Sequence, residues 1–330
     1  MKIAVFNTKS YDRQFLQQAN EAAGAPHSFT FYEHALHEKS AVLAKDHEAV
    51  CVFVNDTLDA ACLSALANNH VHLVALRCAG FNNVDMDAAR EHQIRIVRVP
   101  EYSPHAVAEH TLALLLALNR RIHRAYARIK EGNYSIEGLL GFDLYQRTVG
   151  IIGTGKIGSL AAKLFLGFGC RVLAHDVREN EELKKHGVEY RALDDLWKQA
   201  SIFSLHCPLT PETTHLIRAE TIQQMPQGAY IVNTSRGALV DARAAIDGLK
   251  NGQIGGLALD VYEEESGVFF EDHSSDILDD DLLARLTTFP NVLITSHQAF
   301  FTQEALLAIS NVTIHNLNQF AEGKPLDNAL

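Results

Sequence analysis

The chain has 330 residues, 47% of them hydrophobic, so it can bury a substantial core and should divide into about two domains. Its 29 basic and 40 acidic side chains give a net charge of −11, which argues against a nucleic-acid partner and a polybasic membrane patch. The five cysteines contain no C-x-x-C pair, so we expect reduced thiols and neither a disulfide framework nor a metal site. The longest apolar run, 112–118, is too short to cross a bilayer, and we expect a cytoplasmic protein that acts on a small molecule.

Over the first hundred residues, short apolar runs alternate with amphipathic stretches. This alternation predicts parallel strands joined by helices, because parallel strands need a crossover connection. We expect strands at 3–6, 28–32, 49–54, 72–76 and 94–99, and helices at 11–23, 38–46, 59–68 and 85–92. Pro100 and Pro104 then interrupt the pattern, and 106–129 is predicted as one long helix that links domains or contacts another subunit.

A glycine-rich turn follows the next apolar run. Its G-x-G-x-x-G pattern consists of Gly153, Gly155 and Gly158, it opens an apolar helix, and the strand after that helix ends at Asp176. The three glycines would allow a tight turn, a close approach of the backbone to a pyrophosphate, and packing of the helix on the strand. Because a carboxylate at Asp176 would bind the adenosine ribose and disfavour a 2′-phosphate, the pattern predicts a Rossmann domain that binds NAD.

The second half of the chain continues the alternation. We expect strands at 202–206, 229–233, 256–260 and 292–295, with helices between them. Their near-continuous Val, Ile and Leu content suits a doubly wound sheet covered on both faces. The acidic segment 263–281 is predicted as a solvated surface loop, and 303–320 as an amphipathic helix that returns to the first domain.

Reactive side chains follow three of these strands, at the sheet edge where ligands bind in open α/β folds. Arg236 fits either a bidentate clamp on a substrate carboxylate or a surface salt bridge. Asp260 ends a strand and is followed by three glutamates at 263–265, which taken alone fit a solvated acidic turn. His297 fits a proton donor if a carboxylate holds its imidazolium.

Together these motifs resemble the D-isomer-specific 2-hydroxyacid dehydrogenases. The resemblance covers essentially the whole chain and rests on the glycine turn, His-Cys-Pro-Leu-Thr-Pro at 206–211, Asn-Thr-Ser-Arg-Gly at 233–237, Asp260 with Glu265, and His297. Within that family, the stretches at 77–85, 119–126 and 269–272 are similar to the fermentative NAD-dependent D-lactate dehydrogenases of Gram-negative bacteria.

The resemblance implies that Arg236, Glu265 and His297 are catalytic in the reduction of pyruvate to D-lactate by NADH. Arg236 would bind the carboxylate, protonated His297 would donate to the keto oxygen, and Glu265 would hold the imidazolium. The implied cofactor contacts are Gly153, Gly155, Lys156, Ile157, Gly158, Asp176, Cys207, Pro208, Thr213, Thr234, Ser235, Arg236 and Asp260. The implied substrate contacts are Phe53, Ala79, Gly80, Tyr102, Arg236, His297 and Phe300.

The same resemblance divides the chain into a flavodoxin-like substrate domain, 1–100 with 299–330, and a Rossmann NAD domain, 101–298, with the active site in the cleft between them. The helix from Ala106 would form the core of a homodimer, and dimers of fermentative relatives commonly pair into homotetramers. A D-2-hydroxyacid dehydrogenase with another substrate, such as hydroxyisocaproate, glycerate or phosphoglycerate, is the alternative within the family. Formate is disfavoured because formate dehydrogenases carry glutamine where this chain has Glu265. An NAD-responsive co-repressor scaffold is the alternative from a different class.

Overall fold

The computed structural model describes residues 1–265 and 267–330. These residues form two compact units: unit 1 comprises Met1–Ser103 with Phe301–Leu330, and unit 2 comprises Pro104–Phe300. Among the described residues, no helix is both long enough and apolar enough to cross a membrane. Each unit consists of helices packed around a parallel sheet, so the α/β class predicted from the apolar runs is confirmed.

Unit 1 contains the first parallel sheet. Its strands are β1 (Lys2–Val5), β2 (Ser28–Phe31), β3 (Ala49–Val52), β4 (Leu73–Leu76) and β5 (Arg95–Val97), and its first helices are α1 (Ser10–Ala22), α2 (Ala60–Asn68) and α3 (Met86–Glu91). The strand order β2-β1-β3-β4-β5 is flavodoxin-like. Successive residues of β3 belong alternately to two hydrophobic clusters, so the sheet is covered on both faces. Where the sequence predicts a helix over 38–46, the structure has a 3-10 turn at Ser40–Ala44.

Unit 2 contains the second parallel sheet. Its strands are β6 (Thr148–Ile152), β7 (Arg171–His175), β8 (Glu189–Tyr190), β9 (Ile202–Leu205), β10 (Ala229–Asn233), β11 (Ile254–Leu259) and β12 (Val292–Ile294). Its helices are α4 (Pro104–Asn119), α5 (Ile122–Lys130), α6 (Lys156–Gly167), α7 (Glu181–Lys185), α8 (Leu193–Gln199), α9 (Ala219–Gln224), α10 (Ala242–Lys250) and α11 (Asp281–Thr287). The order β8-β7-β6-β9-β10-β11-β12 is that of a Rossmann sheet, with the change of direction between β6 and β9.

The prediction of one long helix over 106–129 is wrong, because the structure has two helices there, α4 and α5. Arg121 adopts a left-handed conformation with φ of 49° and ends the regular helix. The buried Asn119 side chain donates to the carbonyl of Phe142 at 2.7 Å and accepts from its amide at 2.9 Å. These hydrogen bonds join the end of α4 to a loop 23 residues further along the chain, and no periodic pattern in the sequence reports them. On α5, Ile122 and Tyr126 are 56% and 62% exposed.

The chain leaves unit 2 after residue 300 and returns to unit 1 as α12 (Gln303–Ala321), which packs on α1 and β4. The sequence predicts that the acidic segment between β11 and α11 is a solvated loop. In the structure only part of this segment is exposed to solvent. Phe269 in this segment is only 6% exposed and belongs to the main hydrophobic cluster of unit 2, whereas Ile277 is 91% exposed. Val268, Phe270 and Leu278 are partly buried against the same cluster, so the segment is anchored to the core by its apolar residues.

Candidate active site

The glycine turn after β6 has the shape that its sequence requires. Gly153 has a φ of 91°, and a Cβ there would lie 2.6 Å from the backbone nitrogen of Cys207. A Cβ at Gly158 would lie 1.9 Å from the carbonyl oxygen of Gly153, so α6 packs directly on the turn. By contrast, a Cβ at Gly155 would meet no atom within 4 Å. Two glycines are therefore needed for packing, and the third faces open space.

The open space at Gly155 lies at the N-terminus of α6, whose first residues are Lys156 and Ile157. The first amides of a helix have no intrahelical acceptors and carry the positive end of the helix dipole. A diphosphate fits both features, because it supplies acceptor oxygens and negative charge. The turn therefore fits a dinucleotide cofactor, with Gly153, Gly155 and Gly158 shaping the cradle.

Asp176 follows β7 beside this turn. One carboxylate oxygen accepts from the backbone nitrogen and the hydroxyl of Thr154, at 2.5 and 3.1 Å, and the other accepts from the amide of Arg178 at 3.0 Å. Partial burial opposes its ionisation, but these hydrogen bonds outweigh that effect and lower the pKa of Asp176. The carboxylate is thus ionised and fixed beside the phosphate cradle, with acceptor capacity left for a ribose hydroxyl.

The other predicted cofactor residues lie in loops after β9 and β10. The carbonyl of Cys207 accepts from the Ser235 hydroxyl at 2.7 Å, and the carbonyl of Pro208 accepts from the Thr213 hydroxyl at 2.7 Å. The Thr234 hydroxyl is 2.8 Å from the hydroxyl of Thr111 on α4. These side chains hold the loops at the carboxyl edge of the sheet. Burial raises the pKa of the Cys207 thiol to about 11, so this cysteine is a packing group rather than a nucleophile.

The three predicted catalytic residues follow three adjacent strands: Arg236 follows β10, Glu265 follows β11 and His297 follows β12. Nδ1 of His297 lies 2.9 Å from Oε1 of Glu265, and both side chains are partly exposed, at 22% and 28%. With Nδ1 donating to the carboxylate, Nε2 is the ring atom left to exchange a proton with a substrate. Nη1 of Arg236 donates to the carbonyl of Ser235 at 2.8 Å.

Asp260, predicted as a cofactor contact, supports the loop that carries His297. Its side chain is fully buried, and one carboxylate oxygen accepts from the amide of Gln298 at 2.9 Å and from the hydroxyl of Thr295 at 2.6 Å. The other oxygen accepts from the amide of Ala299 at 2.9 Å, and the Asp260 carbonyl accepts from the His297 amide at 2.6 Å. His297 itself has a φ of 47°, which is unfavourable for a residue with a Cβ. The hydrogen bonds of Asp260 hold this conformation.

The predicted substrate contacts of unit 1 lie beyond neighbouring strands of its sheet. Phe53 follows β3, Ala79 and Gly80 follow β4, and Tyr102 lies beyond β5. All four therefore belong to the carboxyl edge of the sheet, where ligands bind in this fold class. In unit 2, Phe300 is 7% exposed at the end of the loop that carries the histidine.

Two buried charges support this edge of unit 1, and the sequence does not assign a role to either. The guanidinium of Arg77 is 5.1 Å from the Phe53 ring centroid and pairs with Asp12 at 3.1 Å, while its side chain is 2% exposed. The carboxylate of Asp56 accepts from the Phe53 amide at 2.6 Å. Burial raises the pKa of Asp56 to about 6, although Arg77 opposes the shift. Arg77 belongs to the stretch 77–85 that carries the family resemblance, but the sequence does not show that its side chain is buried.

A Rossmann sheet with this glycine turn, and an imidazole–carboxylate pair at the same sheet edge, is typical of a nicotinamide-dependent dehydrogenase. The family model described as D-isomer specific 2-hydroxyacid dehydrogenase, NAD binding domain, matches residues 112–299. D-lactate dehydrogenase of Escherichia coli is 50% identical over 330 residues, which cover 100% of both chains. The 2-hydroxyacid dehydrogenase homolog 1 of Schizosaccharomyces pombe is 50% identical over 322 residues, 97% of this chain and 96% of that protein.

Solved structures agree with these relatives. The apo-structure of the Escherichia coli D-lactate dehydrogenase superposes with a TM-score of 0.92 at 48% identity, covering 100% of each chain. The pyruvate reductase of Chlamydomonas reinhardtii gives a TM-score of 0.94 at 42% identity, covering 99% of this chain and 98% of that one. The protein therefore belongs to the D-isomer-specific 2-hydroxyacid dehydrogenase family, and it is an NAD-dependent oxidoreductase. The family, the fold and the cofactor predicted from the sequence are confirmed.

Proposed function

We propose that the protein is a D-lactate dehydrogenase that reduces pyruvate with NADH. The observation that carries the proposal is the 2.9 Å hydrogen bond between His297, after β12, and Glu265, after β11, while Arg236 follows the next strand of the sheet, β10. The 50% identity to a D-lactate dehydrogenase over the whole chain supports the same substrate. The family contains enzymes for other 2-hydroxy acids, so the choice of pyruvate as substrate is the part of the proposal that experiment must test.

In this mechanism the guanidinium of Arg236 binds the carboxylate of pyruvate through two parallel hydrogen bonds, and the amides of Ala79 and Gly80 bind it as well. The bound carboxylate fixes the position of the keto carbon. Protonated His297 donates the Nε2 proton to the keto oxygen, and Glu265 stabilises the imidazolium before transfer. In lactate oxidation, neutral His297 accepts the hydroxyl proton through the same atom.

NADH, when bound, supplies the hydride that reduces C2 of pyruvate. Gly153, Gly155 and Gly158 with the first amides of α6 would hold its diphosphate, and Asp176 would bind the adenosine ribose. The loops that contain Cys207, Pro208, Thr213, Thr234, Ser235 and Asp260 would complete the cofactor site. Because Asp176 is ionised, it would repel the 2′-phosphate of NADPH, so we expect a preference for NADH.

By the family resemblance, Phe53, Tyr102 and Phe300 would each contact the side chain of the substrate. Three aromatic contacts would leave room for a methyl group but crowd a branched chain. Since one methylene in an apolar pocket changes selectivity by about 10 to 200-fold, 2-oxobutyrate should be a poorer substrate than pyruvate rather than an inert one. If 2-oxoisocaproate gave the highest kcat/KM of the three acids, the activity would be that of a hydroxyisocaproate dehydrogenase.

We also propose that the enzyme is a cytoplasmic homodimer or homotetramer. The exposed apolar side chains of unit 2 support self-association: Ile122, Tyr126, Ile129 and Leu140 are 56%, 62%, 55% and 90% exposed. The five cysteines are free thiols, as expected in a reducing compartment. Sedimentation velocity of the purified protein would test the assembly, and a monomer at all concentrations would contradict it.

The deciding experiment measures NADH oxidation with pyruvate for the wild type, Arg236→Ala and His297→Ala. Both substitutions should abolish most pyruvate reduction while the NADH Kd stays near the wild-type value. Removal of the proton donor in His297→Ala alone should lower kcat/KM by about 10² to 10⁴-fold. The matched controls are Arg90→Ala, whose side chain is 71% exposed, and His186→Ala, which is exposed on the surface. Near-normal turnover in either site variant would refute the assignment. NADH binding without reduction of any 2-oxo acid would favour the scaffold alternative.

A further inference from the structure

The acidic segment between β11 and α11 contributes more to the site than Glu265. Its apolar residues Val268, Phe269 and Phe270 stand out in an otherwise charged stretch. The carbonyl of Glu265 accepts from the amides of Val268 and Phe269 at 3.2 and 3.0 Å, which folds the chain back on itself. Phe269 is buried in the core of unit 2 and anchors this turn. Phe270 is thereby placed beside the histidine loop.

Phe270 contacts His297 directly. Its ring centroid lies 5.9 Å from that of the imidazole, with the two planes inclined by 34°. Its amide donates to the hydroxyl of Ser296 at 3.3 Å, so the backbone of Phe270 is bonded to the side chain that precedes His297. Phe270 has a φ of 70°, a conformation that is rare for a bulky residue and that often marks a functional position. The imidazole is therefore hydrogen-bonded to Glu265 through Nδ1 and lies beside the tilted ring of Phe270.

We propose that Phe270 is a positioning residue for proton transfer: its ring keeps the imidazole of His297 against Glu265, shields their hydrogen bond from water and favours the protonated ring. A cation within about 6 Å of an aromatic ring centroid can be attracted to the ring, and the imidazole centroid lies 5.9 Å from that of Phe270. Exclusion of water strengthens the hydrogen bond to the carboxylate. The proposal rests on the proton-donor role of His297 given above.

Other charged groups also face the imidazole and must be held constant in the test. Glu265 pairs with Nδ1, and Asp260 accepts from the amide of His297 through its carbonyl. His110 lies 3.3 Å from the carboxylate of Asp260, and Glu271 follows Phe270 in the chain. Arg236 follows β10, which is separated from β12 by β11. None of these groups changes when Phe270 alone is replaced, so an altered pH response reports on the ring.

The test compares Phe270→Leu, Phe270→Met and Phe270→Tyr with Ile277→Ala, a control in the same segment whose side chain is 91% exposed. The two aliphatic variants should lose about tenfold in kcat for pyruvate reduction, with KM within about twofold. The alkaline fall of their pH–rate profiles should move to lower pH by about half a unit. Phe270→Tyr should keep both properties near wild type, because it keeps the ring. Melting temperatures identify any variant that is merely unfolded.

A second readout needs no substrate. The ring protons of His297, assigned by comparison with His297→Ala, are titrated by NMR in the wild type and the Phe270 series. The midpoint should be lower in the aliphatic variants than in the wild type and unchanged in Phe270→Tyr. Wild-type midpoints and pH–rate profiles in the aliphatic variants would overturn the proposal, and so would an equal loss in all three. If the wild type reduces another 2-oxo acid and not pyruvate, the proposed substrate fails while the same series still tests Phe270.

Discussion

Asp260→Asn is the substitution that should separate support of the active-site loop from chemistry. The native carboxylate is fully buried, and its two oxygens accept from the Gln298 amide, the Thr295 hydroxyl and the Ala299 amide. His110 also approaches, with Nε2 at 3.3 Å. An asparagine supplies one acceptor oxygen and one NH₂ group. In either orientation the NH₂ group faces a backbone N–H, so at least one buried donor loses its partner.

The cost can be worked from these contacts. A buried donor left without an acceptor costs about 1 to 3 kcal/mol, and the remaining bonds weaken because they are no longer charge-assisted. The left-handed conformation of His297, with φ of 47°, then loses part of its support. We expect a loss of about 2 to 3 kcal/mol in the free energy of unfolding of unit 2, Pro104–Phe300, or about 4 to 12 °C in Tm for a unit of this size. Because a displacement of about 1 Å can cost 10²-fold, kcat should fall by roughly 10 to 100-fold.

The assay is thermal unfolding together with steady-state pyruvate reduction. Asp247→Asn is the matched control, since the Asp247 carboxylate is 70% exposed and 3.4 Å from Lys250. Exposed pairs of this kind contribute about 0 to 1 kcal/mol, so the control should behave like the wild type. An Asp260→Asn protein with wild-type Tm and a kcat within about twofold of wild type would refute the role of Asp260 in holding the loop.

Three further outcomes follow from the geometry. Glu265→Gln removes the negative charge 2.9 Å from His297. The alkaline limb of the pH–rate profile for pyruvate reduction should therefore shift to lower pH. An unchanged profile would exclude Glu265 from the mechanism. Asp176→Ala should narrow the preference for NADH over NADPH in kcat/KM, and a wild type that uses both equally would contradict the role of Asp176. Burial lowers the pKa of His206 from 6.5 to about 4, so on acidification the unfolded chain binds this proton at a higher pH than the folded chain does. The free energy of unfolding therefore falls as the pH drops from 6.5 towards about 4. In urea unfolding, His206→Asn should remove this pH-dependent part of the free energy of unfolding, which is at most about 3 kcal/mol. If the wild type and His206→Asn lost the same stability at acid pH, His206 would not be its source.

The sheets and the glycine turn could be predicted because their signals are local. Strands buried on both faces read as apolar runs, and the turn needs glycine at fixed spacing, as the 1.9 Å approach at Gly158 shows. The break between α4 and α5 could not be predicted, because the left-handed Arg121 and the hydrogen bonds of Asn119 to Phe142 leave no periodic signal in the sequence. Strand β8, Glu189–Tyr190, was missed because two residues show no periodicity. Tertiary contacts decide such features.

The candidate site shows the same division between local and long-range information. Arg236 and His297 could be proposed from the sequence because they follow apolar runs, whereas only the family resemblance selected Glu265 among the three glutamates after β11. The structure distinguishes them by their partners: Glu263 is 2.5 Å from His215, Glu264 is exposed, and Glu265 bonds to His297. These partners come from distant parts of the chain, so only the folded structure brings them together. The groups that hold the reactive side chains are thus harder to predict than the reactive side chains themselves.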